Sequence, residues 1–217
     1  MEKLLSEIHR RFRLAMNGVV STSMRAKGMP YKVNFGVSLP QMKQIAARYT
    51  PDAALARRLW SEDIRESRLL ATFLMPHADF PDDEALRWMR QANTPELSDF
   101  LAMNLLQHLP RAGELTLRAI ESSDVSAKRS GYALAGRLFL SGQRFSGDPL
   151  SAYIRAAAGD LPHAGVALSG NILQSLRCAV RDPEAAQAIL AAFAPDTPIG
   201  EELRFECDYY RGNVSDM

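Results

Sequence analysis

The residue of this sequence best suited to chemistry is Asp99, in the segment TPELSDFLAMNLLQHLP. Thr94 and Pro95 are typical of a helix start, because a Thr hydroxyl caps free backbone N–H groups and Pro needs no partner in the first turn. Asp99 follows beyond that turn, among apolar residues that leave few polar sides on the helix. We expect the helix to be largely buried, and a buried carboxylate needs a cation, a hydrogen-bond donor or a functional reason.

Two cations, Lys128 and Arg129, lie further along the chain in the segment SAKRSGYALAGRLF. Arg129 is the natural partner for Asp99 if their helices are neighbours. The pair is then either a salt bridge without chemistry or a pair of side chains that faces a ligand groove. Ala133 and Gly136 follow Arg129 on the same side of the helix, where small residues either admit a ligand or allow tight helix packing.

Other polar residues of the predicted helices are candidate contacts to phosphate. They are Arg65, Arg68, Asn171 and Arg177. Guanidinium groups suit phosphate because they form forked hydrogen bonds. Each residue also has an internal alternative, since the Arg side chains can pair with nearby acids and the Asn171 amide can bond a neighbouring backbone carbonyl.

Charge is unevenly distributed along the chain. The net charge is +1, but residues 1–50 carry nine Lys or Arg against two acids, whereas residues 181–217 carry three against eight. A polyanion would therefore meet the first fifty residues, where Lys27 and Lys32 are candidate contacts, because clustered cations release condensed counterions. The alternative is a solvated run of charge with no partner.

Several kinds of site are disfavoured by motifs that the sequence lacks. There is no run of eighteen apolar residues, so no membrane span is predicted, and there is no Gly-rich phosphate loop, HExxH or GxSxG motif. Cys178 and Cys207 lack the spacing of a zinc site or a disulfide framework. We therefore expect no metal, no cofactor and a reducing, cytoplasmic location. The basic start contains acids and no cleavage site, so residues 1–17 are expected to form a helix of the mature protein.

Helical periodicity accounts for nearly the whole chain after residue 37. No segment alternates β-branched residues over the length of a strand, so an all-α fold is predicted. The helices fall into pairs whose second members begin near residues 62, 95, 125, 162 and 198, which is the spacing of an α–α solenoid with a concave groove. Residues 1–217 are predicted to form one domain, with a helix and a basic loop (18–36) over residues 1–37 and helical repeats over 38–212.

Two phrases of the sequence, NFGVSLPQMKQIA and LWSEDIRESRLLATFL, resemble the DNA alkylation repair enzymes, the HEAT-like alkylpurine DNA glycosylases. The resemblance extends from Tyr31 to Pro183 with decreasing clarity. It implies a right-handed solenoid of HEAT-like repeats that binds duplex DNA in its concave groove. It also implies that Asp99 stabilises the cationic sugar formed as an N-glycosidic bond breaks, and that Arg129 with Lys128 holds backbone phosphate.

The sequence departs from this family at two aromatic positions. Active members place Trp residues four positions before the Asp and on a later concave helix, and here these positions read Pro95 and Asn171. Each lost contact would remove about 1–3 kcal/mol of stacking or cation–π energy. Trp60 and Trp88 are present, but their helical contexts predict packing in the core or on the outer face.

Two functions follow from these observations. The leading hypothesis is a monomeric DNA alkylation repair protein that binds alkylated duplex DNA, either hydrolysing the N-glycosidic bond of cationic alkylpurines such as 3-methyladenine and 7-methylguanine or derived from an enzyme that does. The alternative is a non-catalytic HEAT-repeat scaffold for a protein partner or a structured nucleic acid. The pair Asp99 and Arg129 favours the enzyme, whereas the lost aromatic residues and the modest net charge favour the scaffold.

Overall fold

The computed structural model describes the backbone of residues 1–214 and the side chains of residues 1–210. The end of the predicted domain, residues 215–217, lies outside the described residues. Over the described backbone the chain forms thirteen α-helices and no strand, and an isolated bridge joins Val33 to Ile64. The prediction of an all-α fold is confirmed.

The α-helices are numbered α1 to α13 in chain order. They span Glu2–Leu14, Gly18–Ala26, Leu39–Ala46, Ala53–Trp60, Arg65–Leu74, Asp82–Gln91, Pro95–Asn104, Ala112–Ile120, Val125–Leu140, Gly147–Asp160, Val166–Ala179, Pro183–Ala192 and Pro198–Val214. Short 3-10 helices occupy His77–Asp79, Leu106–His108 and Leu161–His163. The second members of the predicted pairs are α5, α7, α9, α11 and α13, and each begins within four residues of its predicted start.

The chain divides into two compact units, residues 1–85 and residues 86–217. In the first unit α5 packs against α3 and α4. In the second unit α9 packs against α7, α8 and α11, so the second helices of successive pairs are direct neighbours. That residues 1–217 act as one domain stays a prediction.

The segment predicted as a basic loop, residues 18–36, contains helix α2. The loop prediction is wrong for this part because a cap outweighs weak helix propensity. The run GVVSTS is poor in strong helix formers, but the Asn17 side chain accepts a hydrogen bond from the backbone N–H of Val20. Ser21 then donates to the backbone carbonyl of Asn34 at 2.6 Å, which fastens α2 to the irregular segment that follows it.

That irregular segment is tied to α5 by the carboxylate of Glu66. The side chain is fully buried, and it accepts hydrogen bonds from the backbone N–H groups of Phe35 (3.0 Å) and Val37 (3.2 Å) and from Arg65 (2.7 Å). Gly36 lies between the two backbone donors at φ 69°, where a Cβ atom would lie 2.5 Å from a backbone carbonyl oxygen of the α2 cap. Only glycine fits there, so the phrase NFGV serves the fold.

The second unit is held together by close packing of α9. A Cβ atom on Gly131 would lie 2.9 Å from the side chain of Ile120 in α8, and one on Gly136 would lie 3.5 Å from the Cα atom of Ser175 in α11. The small residues after Arg129 were expected either to admit a ligand or to allow tight helix packing. Gly136 allows tight helix packing. Trp88 and, in the first unit, Trp60 are buried, as predicted.

Candidate functional site

Asp99 lies on the solvent-exposed side of α7. The helix starts as predicted, because the Thr94 hydroxyl accepts the backbone N–H of Leu97 at 3.2 Å and Pro95 occupies the first helical turn. The buried face of α7 consists of Leu97, Ser98, Leu101 and Ala102. The expectation that Asp99 is buried with this face is wrong, and its carboxylate is accessible to a ligand.

The Asp99 carboxylate accepts a hydrogen bond from the side chain of Asn171, with 3.0 Å between Nδ2 and Oδ1. The pKa of Asp99 is raised, chiefly because the protein atoms around it displace water even though part of the side chain stays exposed. The Asn171 hydrogen bond and the charge of Arg129 lower this pKa, and the charge of Glu96 raises it. The site is therefore a reachable carboxylate that ionises less readily than a free Asp.

Arg129, which the resemblance predicts to hold backbone phosphate, lies inside the second unit. Its side chain is buried, Nε donates to the Ser98 hydroxyl at 3.1 Å, and the guanidinium also donates to the backbone carbonyl of Ala92. Ser130 continues this cluster by donating to Ser98 (3.1 Å) and to the carbonyl of Met89 (3.2 Å). Arg129 thus joins α9 to the start of α7, and its charge lowers the pKa of Asp99.

Three other predicted phosphate contacts of the helices are engaged within the protein. Lys128 pairs with Asp160 at 2.5 Å, and Arg177 pairs with Glu202. Arg65 is buried and donates to Glu66 and to the carbonyl of Val37. These partners lie on other helices or on the loop, except for Glu66 itself, so spacing within one helix does not reveal them. Each cation is thus partly neutralised by an acid of the protein, which weakens its attraction for phosphate.

Arg68 and the two lysines of the first unit are more accessible. Arg68 is half-buried; its Nε donates to the backbone carbonyl of Glu62 at 3.0 Å, and its guanidinium lies 5.8 Å from the ring centroid of Tyr31. Lys27 and Lys32 are exposed on the segment between α2 and α3. The structure thus brings Asp99 and Asn171 together in the second unit, and it leaves the lysines open to a partner in the first.

A second group of polar residues was missed by the sequence analysis. Arg11 and Arg48, with Gln41 and Gln44, line an open hollow of about 230 Å³ between α1 and α3, and Leu14 lies at the same hollow. The sequence signal that could have revealed this group is the long run without Asp or Glu, residues 8–51, in which all of these residues lie. The helical pattern did not reveal the hollow. Such a pattern predicts which residues share one face of a single helix, but it does not predict which faces of two helices meet.

No group of three or more His, Cys, Asp or Glu side chains among the described residues is arranged to hold a metal ion. A helix long and apolar enough to cross a membrane is likewise not found in the part of the chain that the structure describes.

The fold and the site define an all-α protein of stacked helix pairs with an exposed carboxylate on one of its second helices. The sequence profile of the DNA alkylation repair enzymes matches residues 9–135, more than half of the chain. The chain belongs to the DNA alkylation repair enzyme family.

A solved structure gives the same fold. It is from a family of proteins described as related to the HEAT-like repeat DNA glycosylases, with affinity for branched DNA structures. It superposes with a TM-score of 0.77 at 18% sequence identity, covering 95% of this chain and 94% of that one. The likeness confirms the predicted HEAT-like helical fold. The comparison with curated protein sequences gives no significant match.

Proposed function

We propose that this member of the DNA alkylation repair enzyme family binds branched DNA and does not excise alkylated bases. The observation that carries the proposal is the pairing of Asp99 with Asn171. Hydrolysis of the N-glycosidic bond would need the Asp99 carboxylate beside the damaged nucleotide. Active members of the family have a Trp at the position of Asn171, which here donates a hydrogen bond to that carboxylate instead. An amide can hold the carboxylate in place, but it offers no ring to stack on a flipped, cationic base.

The energy of the missing walls is large enough to decide between the two functions. Two aromatic contacts of about 1–3 kcal/mol each together contribute about 2–6 kcal/mol, which corresponds to about thirtyfold or more in binding of the flipped base. Arg129 gives no compensation, because its guanidinium is buried and bonded to Ser98 and Ala92. The residues around Asp99 therefore disfavour hydrolysis of the N-glycosidic bond.

Branched DNA is the substrate class that we favour over linear duplex. The solved relative with affinity for branched DNA structures covers the chain almost end to end. The first unit supplies the charge for such binding, since residues 1–50 carry nine Lys or Arg against two acids. We further propose that the protein acts as a monomer in the cytoplasm, as the sequence analysis predicts.

Excision remains a second candidate because of one observation, the exposure of Asp99. A carboxylate there can stabilise the positive charge that develops on the sugar of a 3-methyladenine or 7-methylguanine nucleotide, whose base is already a cationic leaving group. The raised pKa of Asp99 does not prevent this role so long as the group is ionised at the working pH.

One experiment separates the two candidates. Base release from methylated duplex DNA and binding to a four-way junction are measured for the wild type and for Asp99→Asn. We expect junction binding that weakens steeply with salt, no base release, and the same binding for the variant. Release of 3-methyladenine or 7-methylguanine by the wild type that the variant loses would establish the glycosylase instead.

A further inference from the structure

Three exposed apolar side chains crowd the turn between α1 and α2. Leu14 is 74% exposed, Met16 57% and Val19 82%, although they fall within six consecutive residues. The buried face of α1 consists of other residues, Leu5, Ile8 and Phe12. A cluster of exposed apolar residues marks a surface that contacts something other than water.

This turn, residues 14–19, is held firmly by its surroundings. The backbone N–H of Asn17 donates to the carbonyl of Phe35 at 2.9 Å, and the Asn17 side chain caps α2. Gly36 lies so close that a Cβ atom would reach 2.5 Å from the Asn17 carbonyl oxygen. The three apolar side chains therefore stand on a fixed platform, which lowers the conformational cost of binding through them.

The stretch of chain that contains the turn is basic. Residues 8–51 contain eight Lys or Arg and no Asp or Glu. Arg10, Arg13 and Arg48 are exposed, and Arg11 is held in place by Glu7 (2.7 Å) and by the Tyr49 hydroxyl (3.0 Å). Such a surface is complementary to a polyanion and repels a basic partner.

The hollow beside Leu14 fits one phosphate group. Its volume of about 230 Å³ is below the about 300 Å³ at which sites for whole small molecules begin. Its lining combines two guanidinium groups, Arg11 and Arg48, with the amides of Gln41 and Gln44. Charged forks and amide N–H groups are the donors that proteins use for backbone phosphate.

We propose that the turn at residues 14–19 is a wedge that covers the open base-pair face at a DNA branch point, while the Arg-lined hollow holds a flanking phosphate. The proposal rests on the function proposed above and names the surface that gives it specificity. A linear duplex hides its base faces by stacking, whereas a branch point in its open, unstacked form exposes the faces of its central base pairs to Leu14, Met16 and Val19. Proteins commonly use apolar side chains of these types as wedges at DNA steps.

A membrane surface explains the same residues less well. Binding to anionic lipid requires a helix with a continuous apolar face free to enter the headgroup layer. The apolar face of α1 is instead occupied by the core of the first unit, through Leu5, Ile8 and Phe12. Only the three side chains of the turn remain, which suits a local contact with a base pair.

The test compares two triple variants of the full chain. Leu14→Ser, Met16→Ser and Val19→Ser remove the wedge. The matched control removes three exposed apolar residues of the second unit, by Val125→Ser, Leu140→Ser and Val166→Ser. Affinity for a four-way junction and for a linear duplex of the same length is measured at two salt concentrations, and melting temperatures verify that both variants fold.

We expect the wedge variant to lose about tenfold in junction affinity, with duplex affinity within about twofold of wild type, because only the junction offers a face to cover. The control variant should bind both DNAs as the wild type does. A folded wedge variant that keeps the junction preference overturns the wedge but leaves the proposed function standing. A wild type that binds neither DNA overturns the proposed function itself. Binding to anionic lipid vesicles is measured for the same variants, and its loss in the wedge variant without a change on DNA assigns the turn to lipid and overturns the proposal.

A charge variant examines the hollow separately. Arg11→Gln with Arg48→Gln should weaken junction and duplex binding together and make the salt dependence shallower by about one phosphate contact. An unchanged salt dependence in this variant excludes the hollow as a phosphate site.

Discussion

Glu66 in the first unit and Asp99 in the second are carboxylates that each lie on the second helix of a helix pair, and their surroundings give them opposite roles. Glu66 is fully buried, with hydrogen bonds from two backbone N–H groups and the Arg65 guanidinium. Asp99 is exposed, accepts one described hydrogen bond from Asn171, and has a raised pKa. The first carboxylate organises the fold, and the second is available to a ligand. The difference shows that the number of donors around a carboxylate, rather than its place on a helix, decides its use.

The largest effect is expected from Glu66→Gln. The change leaves the Arg65 cation buried without its carboxylate, and it weakens the bonds to the Phe35 and Val37 backbone. We expect a loss of about 3–5 kcal/mol in the free energy of unfolding, measured by urea denaturation. Glu114→Gln is the control, because Glu114 is exposed and pairs with Arg111 on the surface. A loss no larger than that of the control would place Glu66 outside the fold-determining residues.

A smaller effect is expected from Arg129→Met, which tests whether this cation belongs to the fold or to the ligand. The substitution removes charged hydrogen bonds to Ser98 and Ala92 in the interior. We expect a loss of about 1.5–3 kcal/mol in the free energy of unfolding, with junction affinity of the folded protein unchanged. Arg10→Gln is the control, for which we expect the opposite result: reduced affinity for the junction and an unchanged free energy of unfolding. A stable Arg129→Met protein that no longer binds DNA would return Arg129 to the interface.

The smallest effect on stability is expected from Asp99→Asn. The pKa of Asp99 is higher in the folded state than in the unfolded state, so folding binds the proton more tightly and stability falls as pH rises from the ordinary Asp pKa to the raised one. The variant cannot ionise and avoids this loss. Its melting temperature should equal or exceed that of the wild type at neutral pH, and the gap should close in acid. A variant less stable than the wild type at neutral pH would make Asp99 a structural residue like Glu66.

The sequence predicted the helices well because local signals specify them. Thr94 with Pro95 and Asp124 with Val125 mark the starts of α7 and α9, and periodicity fixes which sides are buried. The sequence did not predict α2, where a single cap at Asn17 acts together with tertiary contacts from Asn34 and Gly36. Such contacts come from residues distant along the chain, and no local pattern reports them.

The site was predicted in part for the same reason. Asp99 and Asn171 were both predicted as site residues, but their hydrogen bond was not. The two residues lie 72 positions apart in the sequence, on α7 and α11, and no local pattern predicts that these side chains meet across α9. The acids that pair with Arg65, Lys128 and Arg177 in the folded protein were not predicted, and the role of these cations in DNA binding stays a prediction. A long cationic side chain near a predicted groove can pair with an acid of a neighbouring repeat as readily as with a phosphate.

The preference for branched DNA is tested by the ratio of dissociation constants for a linear duplex and a four-way junction of equal length, determined at one salt concentration with the full chain. We predict tighter binding to the junction by about tenfold or more, because base faces and phosphates are engaged together only there. Equal affinities for the two DNAs, or no binding to either, would contradict the account.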